Sequence, residues 1–373
     1  MNLKAIMIAT CSATAMAIAP NVAEAATVGS PAVANVSGHS LAAVPSAPPS
    51  TTDSLYVGDA GDDSIQRFDV ATGKDLGTFA SPPSDGVTGP RGILHEGNFL
   101  VSYQNPGSDS GEINKYHQGD GKPLGALVSH TDDNAPFAPD GIIRAPDNRT
   151  LYVADQVGRD NPKLGRVAKY DVNTGRFLGN LDFGSFITNP GINPDSEFHP
   201  RGLVFGPDGL LYVSVFQPTA GTLGWILSYN TRTGTVRVVV AGNPRATDCS
   251  KNLHRPDGLT FGPNGKLYVT SFRADANDID RILIFDAAGG VCADEIDLDQ
   301  VGQPRAFAQY ILFGPGGYLF APIAGGGDAG AVRRYDVNTK VFTNLVAPGG
   351  SLGSAWGLTF GKTNPTTLSY PSS

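Results

Sequence analysis

The sequence predicts an all-β fold, a six-bladed β-propeller of four-stranded blades that is closed by pairing its C-terminal strand with its N-terminal blade. Three observations lead to this prediction. The 373 residues include 47 glycines and 28 prolines but few methionines, which is typical of short strands joined by tight turns. One strand pattern recurs six times, and the repeat begins on a second strand and ends on a first strand.

Each repeat opens with an x-Gly-aliphatic strand, and a Leu-Tyr-Val strand follows after a turn. First strands are predicted at residues 90–93, 139–142, 200–203, 256–259, 308–311 and 355–358. Second strands are predicted at 55–57, 99–101, 151–153, 211–213, 267–269 and 318–320. The third strand carries an aromatic residue in every copy, at Phe68, Tyr116, Tyr170, Tyr229, Phe285 and Tyr335. A period of about 50 to 60 residues is long enough for four strands, so each repeat is predicted to be one blade.

Turn motifs and the order of the copies complete the topology. Gly-Pro-x-Gly segments at 206–209, 262–265 and 314–317 link first to second strands, and glycine there supplies the positive φ of a tight hairpin. The repeat begins on the second strand at Leu55 and ends on the first strand from Trp356 to Phe360. The two ends are therefore predicted to complete one blade, which removes exposed sheet edges.

The chain is predicted to have four parts. Residues 1–25 combine a basic start, an apolar stretch and an Ala-Glu-Ala motif, which predict a signal peptide and a secreted protein, extracellular or periplasmic. Residues 26–52 are an Ala/Pro/Ser-rich, flexible lead-in, residues 53–363 the propeller and residues 364–373 a C-terminal tail. A net charge of −8 argues against nucleic-acid binding, and no membrane insertion is expected. The mature protein is expected to be a monomer.

Cys249 and Cys292 are the two cysteines that follow the leader. An even number in an exported chain predicts a disulfide, and isolated cysteines without CxxC spacing give a zinc site little support. Cys292 is expected near a turn at the face opposite Cys249. The segment 241–255 is therefore predicted to run along the edge of the fifth blade.

The run from His254 to Val269, with Pro256-Asp257-Gly258 and Gly262-Pro263-Asn264-Gly265, resembles the repeat of NHL-type propellers and of the gluconolactonase and streptogramin lyase families. The resemblance recurs after residue 53 and implies the propeller fold, but those families include hydrolases, lyases and binding platforms. Streptogramin lyases carry a catalytic His before the first-strand Gly, and no copy here has one. Gluconolactonases hold an axial divalent metal partly through a Pro-Asp-Gly Asp, which implies Asp140 and Asp257 as ligands. The family's Glu-Gly-Pro and Asn-Gly segments have no counterpart.

The residues that precede the first-strand Gly form the candidate ligand-binding site. In a propeller the starts of the six inner strands surround one mouth of the axial channel, so their side chains should form a ring on the same face as His199 and His254. The ring is predicted to contain Arg91, Asp140, Arg201, Asp257, Gln309 and Trp356. Convergent polar groups in a cleft indicate a binding site. In the other interpretation, the two Arg and two Asp neutralise each other and seal the channel.

The leading hypothesis is that this mouth binds a small molecule, a glycan or a protein loop, with no catalytic residue assigned. The alternative is a metal-dependent lactone or ester hydrolase, in which Asp140 and Asp257 hold Ca²⁺ or a similar divalent cation on the axis. Metal content separates the two hypotheses. One further acidic loop, residues 275–280, lacks the ligand spacing of an EF-hand and is interpreted as solvated.

Overall fold

The protein is described by a computed structural model that covers residues 53–105, 110–218 and 223–371. The predicted signal peptide and lead-in, residues 1–52, lie outside the described residues. The described part is all-β and forms six four-stranded antiparallel sheets, as predicted. Among these residues, no helix is long and apolar enough to cross a membrane.

The strands follow one another in blade order. The first three blades consist of β1 Ser54–Asp59, β2 Ser64–Asp69 and β3 Asp75–Ala80; β4 Pro90–Glu96, β5 Asn98–Tyr103, β6 Glu112–Tyr116 and β7 Pro123–Val128; and β8 Pro139–Arg144, β9 Thr150–Asp155, β10 Arg166–Asp171 and β11 Phe177–Asn180. The last three consist of β12 His199–Phe205, β13 Leu211–Phe216, β14 Trp225–Tyr229 and β15 Val236–Ala241; β16 Arg255–Phe261, β17 Leu267–Phe272, β18 Arg281–Asp286 and β19 Val291–Asp297; and β20 Leu312–Phe313, β21 Leu319–Ile323, β22 Ala331–Asp336 and β23 Val341–Val346. The final strand is β24 Ala355–Phe360, and short helices lie at Gly184–Ile187, Cys249–Asn252, Pro315–Gly317 and Gly326–Asp328.

Blade one is closed by the two ends of the described chain. β24 is its innermost strand and pairs antiparallel with β1, with Leu55 opposite Phe360 and Val57 opposite Leu358. The Tyr370 hydroxyl donates a hydrogen bond to Asp53 Oδ2 at 2.6 Å. The predicted closure is confirmed, and residues beyond β24 add a further contact to the start of β1.

The x-Gly pattern reflects how closely the inner strands approach one another. A Cβ atom on Gly141 would lie 2.6 Å from the carbonyl oxygen of Arg201, and one on Gly202 would lie 2.6 Å from that of Asp257. Real Cβ atoms do not come that close, so only glycine lets adjacent inner strands pack backbone against backbone. The side chain before each glycine is thereby held beside its counterpart in the next blade.

Blade six departs from the prediction. Its first strand is predicted at 308–311, but ladder pairing with β21 covers only Leu312 and Phe313. Phe307 has a φ of 54°, so the chain turns just before the predicted strand. Tyr310 stands where the other copies have glycine, although the backbone of Gln309 and Tyr310 still lies close to Gly258 of blade five.

The predicted disulfide is present between Cys249 and Cys292, whose Cα atoms are 5.3 Å apart. Cys249 begins a short helical turn that lies against outer strand β19, where Cys292 is located. Asn252 Nδ2 in the same turn donates to Glu295 Oε2 at 2.8 Å. The segment that precedes blade five therefore runs along the outer strand, as predicted.

Candidate functional site

Inner strands β24, β4, β8, β12, β16 and β20 lie side by side in that order, so the residues at their starts converge. Direct contacts join all six predicted ring residues into two groups. One group is centred on Arg91 and the other on Arg201.

Arg91 is buried among neutral partners. Its Nη1 donates to Gln309 Oε1 at 3.2 Å, its Nη2 donates to Gln104 Oε1, and its guanidinium lies over the Trp356 ring. Burial lowers the pKa of Arg91 to about 9, partly offset by the charges of Asp140 and Asp257. The guanidinium therefore stays charged at neutral pH and is presented on an aromatic support.

Arg201 lies between the two aspartates. Its Nη1 is 3.2 Å from Asp140 Oδ2 and 3.6 Å from Asp257 Oδ2, and its guanidinium lies 4.4 Å above the Phe216 ring. Gln156 Nε2 approaches the same Asp140 oxygen at 3.5 Å. One guanidinium nitrogen thus serves two carboxylates, neither at the short distance of a charge-assisted hydrogen bond.

The surroundings of Asp257 oppose the ionisation of its carboxyl group. Burial raises the pKa of its carboxyl, and the negative charge of Asp140 raises it further, against the opposing effect of both arginines. A carboxyl with a raised pKa holds its proton more readily and can then donate a hydrogen bond. Asp257 is 1% exposed, so its carboxyl is shielded from bulk water.

Unsatisfied hydrogen-bonding atoms concentrate at this face. Of fourteen buried side-chain nitrogen and oxygen atoms without a partner in the described residues, six belong to the mouth: both amide atoms of Gln217, Asp257 Oδ2, Gln309 Nε2 and the Nε atoms of Arg91 and Arg201. Leaving such an atom unpaired costs about 1 to 3 kcal/mol. Folded proteins keep few of them, so a cluster indicates a place where other hydrogen-bonding groups bind.

Among the described residues, no hydrogen bond or ion pair joins His199 or His254 to a ring residue. His199 Nδ1 is 2.9 Å from the Gln156 carbonyl oxygen and its Nε2 is 3.3 Å from Glu197 Oε2. His254 Nε2 is 3.4 Å from Asp278 Oδ2. Burial lowers the pKa of both imidazoles, which keeps them largely neutral at pH 7. They support the loops around the mouth.

Three glutamines at the mouth were not predicted. Gln104, Gln156 and Gln217 each follow the second strand of their blade, in blades two, three and four. Gln104 and Gln156 contact the ring residues Arg91 and Asp140 of the same blades. Comparison of that one repeat position across the six copies is the signal that could have revealed them.

The acidic loop at 275–280 is not the solvated loop that the sequence suggested. Asp275 and Asn277 are exposed, but Asp280 is completely buried. Asp280 accepts backbone hydrogen bonds from Arg273 and Phe307 and pairs with Arg305 at 2.9 Å. Its carboxylate joins blade five to the connection that leads into blade six.

A divalent cation on the axis fits these side chains poorly. Arg201 already lies between Asp140 and Asp257, and Arg91 adds a second positive charge nearby. Calcium takes six to eight oxygen ligands, and no Glu or Asn joins the ring to supply them. Asp140 and Asp257 are better described as partners of Arg201 than as metal ligands.

A separate surface cleft lies away from the axial mouth. It has a volume of about 570 Å³ and lies beside blades five and six, lined in part by Arg305, Asp328 and Arg333. Its two arginines are engaged, since Arg305 pairs with Asp280 at 2.9 Å and Arg333 with Asp328 at 2.7 Å. Among the described residues, the axial mouth has more buried side-chain atoms without a hydrogen-bond partner than this cleft.

Fold and ring together define a class, the closed six-bladed β-propeller with a polar mouth on its axis. The chain is similar in structure to the periplasmic gluconolactonase of Pseudomonas aeruginosa, with 16% identity and a TM-score of 0.52 over 83% of this chain and 98% of that one. A Bacteroides caccae protein of unknown function is 14% identical, with a TM-score of 0.54 over 83% of this chain and 99% of that one. Catalytically inactive virginiamycin B lyase from Staphylococcus aureus, solved with quinupristin, is 13% identical, with a TM-score of 0.50 over 84% of this chain and 93% of that one.

At these identities the likeness shows a common fold and nothing about activity. No protein-family model matches the chain, and no curated protein matches it either. The fold implied by the sequence resemblance is therefore confirmed.

Proposed function

We propose that the protein binds a small, hydroxyl-rich molecule, such as a sugar unit of a glycan, at the mouth of its axial channel. The observation that carries this proposal is the group of buried polar atoms on Asp257, Gln309 and Gln217 that make no hydrogen bond among the described residues. Amide N–H groups donate to hydroxyl oxygens, and amide and carboxyl oxygens accept from hydroxyl groups, so the mouth can bind hydroxyls in both roles. Trp356 and Phe216, which support the two arginines, add apolar surface of the kind found in ligand sites.

The charge of the mouth narrows the class of ligand. Two arginines face two aspartates, and the raised pKa of Asp257 shifts the balance toward positive charge. A neutral or singly negative ligand is therefore preferred over a cation. A metal-dependent lactone or ester hydrolase is the weaker proposal, because Arg201 takes up the two carboxylates that such an enzyme would need for its metal.

Export is the second part of the proposal. The Cys249–Cys292 disulfide supports it, because disulfides persist in oxidising compartments such as the periplasm or the extracellular space. A thiol titration of protein purified without reductant from the periplasm or culture medium tests this part. Finding both thiols free in that material would contradict it.

A ligand screen tests the mouth. Neutral sugars, sugar acids and short peptides are compared by the rise in melting temperature that each produces, and hits are measured by calorimetry. Gln309→Ala should weaken binding of a hit at least about tenfold, the equivalent of 1.4 kcal/mol, because it removes one side of the mouth. Asp171→Asn, at an exposed turn on the opposite face, is the control and should bind normally. Equal affinity in the two variants would place binding outside the mouth.

A further inference from the structure

We propose that Asp85, Glu112 and His130 form a binding site for a divalent metal ion of the zinc class, separate from the axial ring. The three residues come from three segments: the connection between β3 and β4, the start of β6, and the connection between β7 and β8. Their ligand atoms all lie within 4.8 Å of one another. His130 Nδ1 is 2.8 Å from Glu112 Oε2 and 4.0 Å from Asp85 Oδ2.

Charge is the first argument for a cation here. The side chain of Glu112 is 0% exposed, and among the described residues His130 is the sole basic group within 4 Å of either carboxylate. Buried carboxylates at comparable places in other blades have an arginine, since Asp155 pairs with Arg166 and Asp280 with Arg305. The buried Glu112 therefore lacks the arginine that Asp155 and Asp280 have, and the neighbouring Asp85 adds a second negative charge.

The ligand set selects the metal. One imidazole nitrogen with carboxylate oxygens suits Zn²⁺ or Co²⁺, whereas Ca²⁺ and Mg²⁺ take oxygen ligands alone. A metal would replace the hydrogen that Glu112 and His130 now share. Asn114 Nδ2 donates to Glu112 Oε1 at 2.7 Å and fixes the carboxylate, as outer partners of metal ligands commonly do.

The remaining ligand is the most adaptable one. Asp85 is 41% exposed, so its side chain can move toward the other two and close the 4.0 Å separation to zinc-ligand geometry. Its exposure also gives the ion a path from solvent and leaves room for water in the fourth position. The bound ion would tie the connection into blade two to the connection into blade three.

The test uses the full chain after chelation and dialysis. Calorimetric titration with Zn²⁺ should show about one equivalent taken up, and Co²⁺ should develop visible absorption. His130→Ala and Asp85→Asn should each weaken Zn²⁺ binding at least about tenfold, since each removes one of three ligands. His117→Ala is the matched control, because His117 pairs with Asp120 at 2.6 Å on an exposed turn without a third ligand.

Asp85→Asn keeps the test decisive if the His130 variant fails to fold, because an exposed loop residue contributes little to stability. Its melting temperature in chelator should match that of the wild type. Failure of the wild type to take up Zn²⁺ at about 0.1 mM, or equal affinity in the wild type and Asp85→Asn, would overturn the proposal.

Discussion

Two groups of buried aspartates lie on the same face of this propeller and are held in different ways. Asp59, Asp155 and Asp280 each accept backbone hydrogen bonds from the connection between two blades. Asp140 and Asp257 instead share one nitrogen of Arg201, and Asp257 retains an oxygen without a hydrogen-bond partner. The carboxylates of the first group have hydrogen-bond partners on the connections between blades, and these bonds hold neighbouring blades together. The oxygen of Asp257 that has no hydrogen-bond partner indicates that the second group can bind a ligand.

The largest effect is expected at a saturated carboxylate. Asp155→Ala leaves two backbone N–H groups and the Nε of Arg166 without their acceptor, and Asp155 is 1% exposed. We expect a loss of about 3 to 5 kcal/mol in the free energy of unfolding. Urea denaturation followed by circular dichroism measures it. A loss of less than about 1 kcal/mol would remove the distinction between the two groups.

Asp257→Asn should cost much less. The amide has the same shape, and it relieves the burial of charge and the repulsion from Asp140 that raise the pKa of Asp257. We expect the free energy of unfolding at pH 7 to change by about 1 kcal/mol or less, while affinity for a mouth ligand falls. Paired denaturation and binding measurements test this. A loss as large as that of Asp155→Ala would support the interpretation in which the ring only seals the channel.

The pH dependence of stability sharpens the comparison. Because the pKa of Asp257 is raised from 3.8 in the folded state, the folded protein binds more protons than the unfolded chain above that value. Its contribution to stability is complete at lower pH and is lost as pH rises toward the folded pKa. The wild type should therefore lose stability relative to Asp257→Asn as the pH rises from about 5 to about 8, because asparagine does not titrate.

Asp171 is the control for this pH dependence, because its pKa is shifted in the opposite direction to that of Asp257. A hydrogen bond from the Thr174 backbone, followed by one from the Thr174 side chain, lowers the pKa of Asp171, so its contribution is present above 3.8 and lost in acid. Asp171→Asn should leave the profile above about pH 5 parallel to wild type. Profiles of wild type and Asp257→Asn that run parallel from pH 5 to pH 8 would contradict a raised pKa for Asp257.

The smallest effect is expected from calcium. With Arg201 between Asp140 and Asp257, added Ca²⁺ should shift the melting temperatures of wild type and Asp257→Asn equally, by about 1 °C or less. Thermal unfolding with and without Ca²⁺ measures this. A rise of several degrees in wild type that is absent in Asp257→Asn would restore an axial metal and the hydrolase hypothesis with it.

The sequence predicted whatever depends on the repeat itself. The six copies of the first strand, five of which carry the x-Gly pattern, sufficed for the blades and for the convergence of Arg91, Asp140 and Arg201, because close packing of the inner strands requires glycine at those five positions. Features that depend on departures from the repeat were missed. The turn at Phe307 shortens β20, and Asp85, Glu112 and His130 come together through connections of irregular length. No local pattern encodes such contacts, since they are fixed only after the blades assemble.

The pairing of β1 with β24 also determines when blade one can form during synthesis. Blades two to six each contain all four of their strands in one continuous segment, whereas Leu55 meets Phe360 only after everything between them has been made. Contacts so distant in sequence form late and slowly. During synthesis, the first three strands must therefore wait as an incomplete sheet with an open edge, which is the period of greatest risk from proteases and from pairing with other chains.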